Sequence, residues 1–141
     1  PISTEGAGDS GQVLARLELP EPKILEDIDL PLEKLSTKKG TSAVYQLRFP
    51  KIGRYELVFR MSSTLGELAQ LPISVFLNNT LQQTVTLNGT EGQTMERVVI
   101  LPIRQDGEKY MKLYFGESGI DMHRMFLRYA GQNDIESFRN E

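Results

Sequence analysis

The chain of 141 residues contains no cysteine, no tryptophan and a single histidine. Without cysteine it can form neither a disulfide nor a thiolate metal site, and it has no thiol nucleophile. A single histidine likewise excludes an HExxH motif and any metal site built from several histidines. No apolar run approaches the length of about 18 residues that a membrane-spanning helix needs. The sequence therefore predicts no membrane segment and offers few of the residues that metalloenzymes use.

The chain also lacks a large excess of charge of either sign. The net charge is −3, from 16 basic and 19 acidic residues spread along the chain. A nucleic-acid-binding protein would need a basic stripe, so we expect no nucleic-acid partner. The hydrophobic fraction of 39% and the charged fraction of 25% are ordinary for one soluble domain. The absence of cysteine fits an exported bacterial protein, secreted or held at the cell surface.

Apolar and polar residues alternate along most of the chain, which is typical of half-buried β-strands. In the segment SAVYQLRF, for example, Tyr45, Leu47 and Phe49 share one face while Gln46 and Arg48 point away. Similar segments recur between turn signals, and no segment has the pattern of a long helix. Eight or nine short strands predict an all-β fold, an antiparallel jelly-roll β-sandwich.

The same pattern suggests how the chain is divided. Residues 1–12 are polar and rich in Gly and Ser, and they predict a flexible leader. We expect the β-sandwich module over residues 13–130 and a polar tail or linker over residues 131–141. The irregular stretch before the second alternating segment predicts a short strand at Leu32–Leu35 or a helical turn. The N-glycosylation motifs at Asn78 and Asn88 are interpreted as turn residues.

Asp121 and His123 are the one pair that suggests catalysis. On a strand they would share one face, because side chains alternate with period two, and Met125 and Leu127 would continue that face into the core. A carboxylate beside an imidazole can orient a general base. No nucleophile motif, phosphate-binding loop or dinucleotide fingerprint accompanies the pair. We therefore predict a structural role for it, and a protein that is not an enzyme.

A possible binding surface lies on one face of the segment KYMKLYF. Tyr110 and Tyr114 oppose the apolar residues of this segment and have Lys112 between them. Phe76 is similarly placed on its own strand. Aromatic rings on a solvent-exposed face can stack on sugar rings. Tyr110, Tyr114, Phe76 and Lys112 are therefore candidate ligand-binding residues, and packing beneath another domain is the alternative.

The core of the chain resembles a known family pattern. VYQLRFPKIGRYELVFRMSS resembles the strand–turn–strand motif of β-sandwich carbohydrate-binding modules of families six and thirty-five and their relatives. PISVFLNNTLQQTVTL resembles the hairpin that comes next in the family. VVILPIRQDGEKYMKLYFGESGIDMHRMFL resembles the C-terminal signature, in which the final strand opens with an aspartate. The resemblance covers roughly residues 42 to 130 and implies the same jelly-roll fold.

The resemblance also implies a structural calcium ion. In the family, the aspartate that opens the final strand commonly shares this site with acidic residues of the first strand. The matching position here is Asp121, and Glu18 and Glu26 are the nearest acidic candidates. The acidic run LEDID also offers oxygen ligands of the kind that calcium prefers, although such a run can equally be a solvated loop.

The chain departs from the family pattern at the loop-end sugar site. Met95 stands where the family has an aromatic residue, and Gly119-Ile120 stands where it has an asparagine. The sequence therefore points to the strand face rather than to the loops.

Three functions are compatible with these residues. The first is a non-catalytic carbohydrate-binding module of a secreted glycan-degrading enzyme, with a polysaccharide or oligosaccharide and a neighbouring catalytic domain as its partners. The second is a structural accessory domain that packs against that catalytic domain without a glycan site of its own. The third is a self-standing adhesin or assembly module.

Overall fold

A computed structural model describes residues 13–24 and 26–132. The predicted leader, residues 1–12, and the predicted tail beyond residue 132 lie outside the described residues. No helix in the described part of the chain is long and apolar enough to cross a membrane. The strands are β1 (Val13–Glu18), β2 (Asp27–Asp29), β3 (Ser42–Phe49), β4 (Gly53–Ser62), β5 (Gln70–Leu77), β6 (Thr80–Asn88), β7 (Met95–Ile103), β8 (Gly107–Phe115) and β9 (Asp121–Tyr129).

These strands form two sheets, ordered β1-β3-β8-β5-β6 and β2-β9-β4-β7. β1 runs parallel to β3, and the other neighbours are antiparallel. The apolar faces of the two sheets contribute to one buried core. This is the predicted all-β sandwich, and it forms because strands with one apolar face must bury that face against another sheet.

The aromatic residues that the alternation assigns to the core are buried as predicted. Tyr45 has no exposed surface, and Phe49 has 1%. The Tyr45 hydroxyl donates a 2.6 Å hydrogen bond to the carbonyl oxygen of Pro31, so the buried phenol keeps a partner. Burial, reinforced by the negative charge of Glu33, raises the pKa of Tyr45 to about 12.

The hairpin between β5 and β6 shows how local sequence sets the register. Asn78 and Asn79 both adopt a left-handed conformation, with φ of 47° and 68°. Two consecutive left-handed residues match the twist of the flanking strands, and asparagine tolerates this conformation better than most residues. The predicted turn at Asn78-Asn79 is therefore confirmed, whereas Asn88 is the last residue of β6.

The two ends of the sandwich differ in the length of their connections. The turn end carries the short connections at residues 50–52, 78–79 and 104–106, and β9 ends there. The loop end carries the longer connections at residues 63–69, 89–94 and 116–120, and β9 begins there with Asp121.

Of the two alternatives predicted for Leu32–Leu35, a short strand or a helical turn, the structure has a turn, and the short strand of this region lies earlier. Residues Leu32 to Leu35 form a turn, closed by a 3.0 Å hydrogen bond from the Leu35 amide to the Leu32 carbonyl. The strand is β2, in which Ile28 pairs with Leu127 of β9. Pairing with β9, rather than the local apolar pattern, decides which residues are extended.

The last strand contains a β-bulge that the sequence does not reveal. Arg60 and Met61 are consecutive in β4, but their partners in β9 are Arg124 and Met122. His123 is therefore an extra residue on the β9 side of the pair.

Because of the bulge, the residues of β9 that face the core differ from the predicted ones. Met125 and Leu127 are fully buried, as expected, but the apolar face continues through Met122, which packs against the core. Asp121 and His123 are exposed. The strict alternation used in the prediction fails here because one inserted residue shifts the remaining side chains to the opposite face.

Candidate functional site

The strand that carries the candidate binding residues lies at the centre of the five-stranded sheet. Within β8, Met111, Leu113 and Phe115 are fully buried in the core. Tyr110, Lys112 and Tyr114 alternate with them and therefore lie on the outer face. Tyr114 exposes 41% of its surface, because this outer face of the sheet is open to solvent.

The structure brings all four predicted ligand-binding residues together on this face. Phe76 of β5 lies directly across from Lys112, and the Lys112 Nζ is 4.8 Å from the centroid of the Phe76 ring. Tyr110 and Tyr114 flank Lys112 along β8, with their Cα atoms roughly 13 Å apart at the usual rise of a strand. We refer to Phe76, Tyr110, Lys112 and Tyr114 as the sheet-face platform.

Hydroxyl groups border the platform beside Tyr114. Ser42 of β3 and Ser74 of β5 are the direct neighbours of Tyr114 in the adjacent strands. The Ser74 hydroxyl is 2.9 Å from that of Thr84 on β6. A ligand stacked on Tyr114 would therefore meet small polar groups that can both donate and accept hydrogen bonds.

A polar cleft adjoins the platform beside Tyr110. Gln46 of β3 is the neighbour of Tyr110, and Arg16 of β1 is the neighbour of Gln46. The Arg16 Nε donates a 2.9 Å hydrogen bond to the Gln46 Oε1, and the Gln46 amide nitrogen donates to a carboxylate oxygen of Glu108. With Arg48, these residues border a recess of about 310 Å³, the polar cleft. Sequence reasoning placed Gln46 and Arg48 on an outward face but missed the cleft, because its residues come from three strands.

The loop end contains the two positions, Met95 and Gly119-Ile120, at which the sequence departs from the family pattern. Met95 is 44% exposed but has no aromatic ring. Ile120 is buried, and its carbonyl oxygen accepts a 2.7 Å hydrogen bond from the Thr37 hydroxyl. A side chain on Gly119 would meet the Leu65 methyl group at 2.6 Å. Apolar packing therefore occupies the place where the family pattern has an asparagine.

The predicted calcium ligands do not come together. Asp121 opens β9 at the loop end, whereas Glu18 ends β1 at the turn end. Glu26 directly precedes Asp27, which pairs with Arg128 near the end of β9, roughly 20 Å from Asp121 at the usual strand rise. Within residues 13–24 and 26–132, no group of three acidic or histidine side chains is arranged to hold a metal ion. These residues therefore do not fit the calcium site that the resemblance implies.

The single histidine contacts a serine rather than the neighbouring aspartate. The His123 Nε2 is 2.7 Å from the Ser62 hydroxyl. Among the described residues, no carboxylate is hydrogen-bonded to the other ring nitrogen, so nothing orients the imidazole as a general base in the way a catalytic triad requires. The contact anchors the bulge of β9 to the end of β4, which agrees with the structural role predicted for His123.

The outer face of the four-stranded sheet differs from the platform. Phe126 is fully buried there, because the guanidinium groups of Arg124 and Arg128 lie 4.1 Å and 5.2 Å from its ring centroid. Arg124 donates hydrogen bonds to Asp29 and Asp27, at 2.6 Å and 3.3 Å, which hold its guanidinium group over the Phe126 ring.

Further along the same face, the edge strand β7 leaves apolar side chains in solvent. Val98 is 43% exposed and Ile100 is 37% exposed. Val98 is the neighbour of Val58, which is fully buried although it lies outside the core between the sheets. This small apolar patch is a second candidate surface.

No family model matches the sequence. A β-glucosidase of Ruminococcus albus is 28% identical over 102 residues, which are 72% of this chain and 11% of that protein. The chain therefore spans about a tenth of the length of this curated relative.

Solved structures show the same architecture. A family 35 carbohydrate-binding module from Clostridium thermocellum aligns with a TM-score of 0.55 at 13% identity, covering 72% of this chain and 86% of the module. A β-glucosidase from Paenibacillus barengoltzii aligns with a TM-score of 0.52 at 16% identity, covering 83% of this chain and 13% of the enzyme. The fold is that of β-sandwich carbohydrate-binding modules, as the resemblance to families six and thirty-five predicts.

Proposed function

We propose that the chain is a non-catalytic carbohydrate-binding module that holds a glycan against the sheet-face platform. The observation that carries this proposal is the exposure of Tyr114 on a central strand, with Phe76, Lys112 and Tyr110 beside it. Aromatic rings that stay partly exposed on a rigid sheet offer sugar rings an apolar surface without the cost of ordering a loop.

The surroundings of the platform suit an oligosaccharide rather than a single sugar. The two tyrosines span roughly 13 Å along β8. Ser42 and Ser74 border one end of this span, and the polar cleft borders the other. Hydroxyl, amide and guanidinium groups at both ends can bind the sugar hydroxyls that ring stacking leaves exposed.

The comparisons support a place for this module inside a longer glycan-degrading protein. The β-glucosidases that resemble it are far longer, and the matching region covers 11% and 13% of their lengths. We infer that a catalytic domain adjoins the module in its parent chain. Because polysaccharides lie outside the cell, we also infer that the parent protein is secreted or displayed at the surface.

Affinity gel electrophoresis against a panel of plant and algal polysaccharides tests this function. We expect retardation on at least one polymer, and oligosaccharides of that polymer should shift the amide NMR signals of Lys112 and Tyr114. A folded sample that no polymer retards would overturn the proposal. Signal shifts confined to the loops at residues 63–69 and 116–120 would keep glycan binding but move it away from the platform.

The exposed patch at Val98 and Ile100 favours a second candidate, an accessory domain that docks onto its neighbour. Exposed apolar side chains on an edge strand can bury their surface against another domain. Hydrogen exchange of the β7 amides tests this function in two proteins, the module alone and the module joined to its natural neighbour. Added protection in the longer protein, which Ile100→Asp removes, would support docking, and equal exchange rates would exclude it.

A further inference from the structure

A second recess continues the polar cleft towards the turn end of the sandwich. It has a volume of about 340 Å³ and is lined by the ends of β1 and β3 and by the connection that leads into β8. Glu18 and Arg48 line both recesses, so the two meet at these side chains. We call the second one the turn-end recess.

The side chains that line the two recesses carry more negative than positive charge. The linings contain the guanidinium groups of Arg16 and Arg48 and the carboxylates of Glu18, Asp106 and Glu108. Opposite charges alternate across the strands, because Arg48 pairs with Glu18 of β1 on one side and with Glu108 of β8 on the other. At the usual strand spacing each neighbour is about 5 Å away. An anion that approaches Arg48 therefore also approaches two carboxylates.

Arg48 has hydrogen-bond donors available for a ligand. Its side chain is exposed, and among residues 13–24 and 26–132 no carboxylate forms a salt bridge with it. Glu108 beside it is held by the Gln46 amide, which donates to one carboxylate oxygen and is itself fixed by Arg16. The second oxygen of Glu108 remains an acceptor. The cleft therefore presents a donor next to an acceptor.

This arrangement matches the hydrogen-bonding capacity of sugar hydroxyls. A hydroxyl group both donates and accepts, so two neighbouring hydroxyls of one sugar can accept from a guanidinium and donate to a carboxylate. A uronate carboxylate or a sulfate ester can only accept. Beside Glu18 and Glu108 such a group would gain one favourable contact and meet repulsion from two like charges.

The glycan that stacks on the platform can reach the cleft. Gln46 is the neighbour of Tyr110 across the strands, and Arg48 lies two residues further along β3, roughly 7 Å away at the usual strand rise. A chain that extends past Tyr110 towards the turn end therefore meets Gln46 and then Arg48.

We propose that the polar cleft makes the module selective for uncharged glycans, with Arg48 and Glu108 binding two neighbouring hydroxyls of one sugar and Glu18 and Glu108 repelling acidic sugars. This inference rests on the proposed function, since it names the class of glycan. Arg48 and Glu108 are then specificity-determining residues of the same binding face.

The test uses NMR titration with sugars of one length. The neutral probes are the β-1,4-linked tetrasaccharides of glucose, mannose, xylose and galactose, and the acidic probe is β-1,4-linked tetraglucuronate, which differs from the glucose probe only at C6. We expect a neutral probe to bind more tightly than tetraglucuronate and to shift the side-chain signals of Gln46 and Arg48. Added salt should strengthen the binding of tetraglucuronate in the wild-type chain and leave the neutral probes unchanged, because salt screens the repulsion.

Two substitutions separate the donor from the charge. Arg48→Met should weaken binding of the best neutral probe roughly tenfold, the size expected for one charge-assisted hydrogen bond. Glu108→Gln keeps an acceptor but removes a charge, so it should favour tetraglucuronate over the neutral probe by roughly fivefold relative to wild type, the effect of one unit charge at about 4 Å in water. Glu67→Gln is the matched control, because it removes an exposed carboxylate at the opposite, loop end.

The outcomes distinguish this inference from the proposed function. Tetraglucuronate that binds as tightly as the neutral probes, or that binds less tightly as salt is added, would overturn the inference and leave glycan binding standing. An equal change in Glu67→Gln would also overturn it, because net charge rather than the cleft would then set the preference. If no tetrasaccharide binds, the inference fails, and the proposed function fails with it only if no polysaccharide retards the module. A tetralysine peptide that binds at Arg48 more tightly than the sugars would likewise overturn it, since the cleft would then recognise cations.

Discussion

Replacing Tyr114 with alanine removes the most exposed ring of the platform. With 41% of its surface exposed, and about 200 Å² for a whole aromatic side chain, the ring offers a ligand about 80 Å². At about 25 cal/mol for each Å² buried, full coverage would contribute about 2 kcal/mol. A sugar covers one face of the ring, so we expect a loss of about 1–2 kcal/mol, or roughly five- to thirtyfold in Kd.

Isothermal titration calorimetry of wild-type and variant chains with the best oligosaccharide measures this loss. Ile100→Ala is the matched control, because Ile100 is 37% exposed but lies on the other sheet. Both substitutions also remove side-chain surface that is buried against neighbouring residues, so both variants should be less stable than the wild type. Each titration is therefore made well below the melting temperature of its variant, where weaker binding does not reflect unfolding. Equal affinity of Tyr114→Ala and wild type would refute the reasoning, as would an equal loss in Ile100→Ala.

Further predictions concern stability. Gly53→Ala should cost roughly 2–4 kcal/mol in urea denaturation, because φ is 149° and an added Cβ would lie 2.5 Å from the Tyr129 ring. Gly66→Ala, with nothing within 4 Å, should cost far less, and equal losses would contradict the steric account. Because burial raises the pKa of Tyr45 to about 12, its contribution to stability is complete below pH 10 and should fall as the pH rises towards 12. Tyr45→Phe should remove this part of the alkaline loss, and identical pH profiles would disprove it. Chelator should leave the melting temperature unchanged, since Asp121 lies far from the other predicted calcium ligands; a decrease that added calcium reverses would reveal an ion site.

Much of the fold could be predicted because alternation is a local property. The inward position of Tyr45 and the outward position of Tyr114 follow from the period of a strand, whatever its neighbours are. The hairpin at Asn78-Asn79 is similarly encoded in two adjacent residues that tolerate a left-handed backbone.

Predictions failed where pairing between distant strands decides the geometry. The bulge at His123 is a feature of the pairing between β9 and β4, and no local pattern marks it. Family position alone also does not reveal that Asp121 lies at the opposite end of the sandwich from Glu18 and Glu26, because this separation follows from the strand directions.

The sequence by itself determined the fold class and, apart from β2 and the bulged start of β9, which residues of the strands face the core. It also placed Tyr110, Lys112 and Tyr114 on one face, since all three belong to a single strand. Only the tertiary structure decided what surrounds them. Strand order places Phe76 beside Lys112 and joins β1, β3 and β8 in the polar cleft. The reason is physical: side-chain alternation acts over two residues, whereas hydrogen bonding between strands joins residues far apart in the chain.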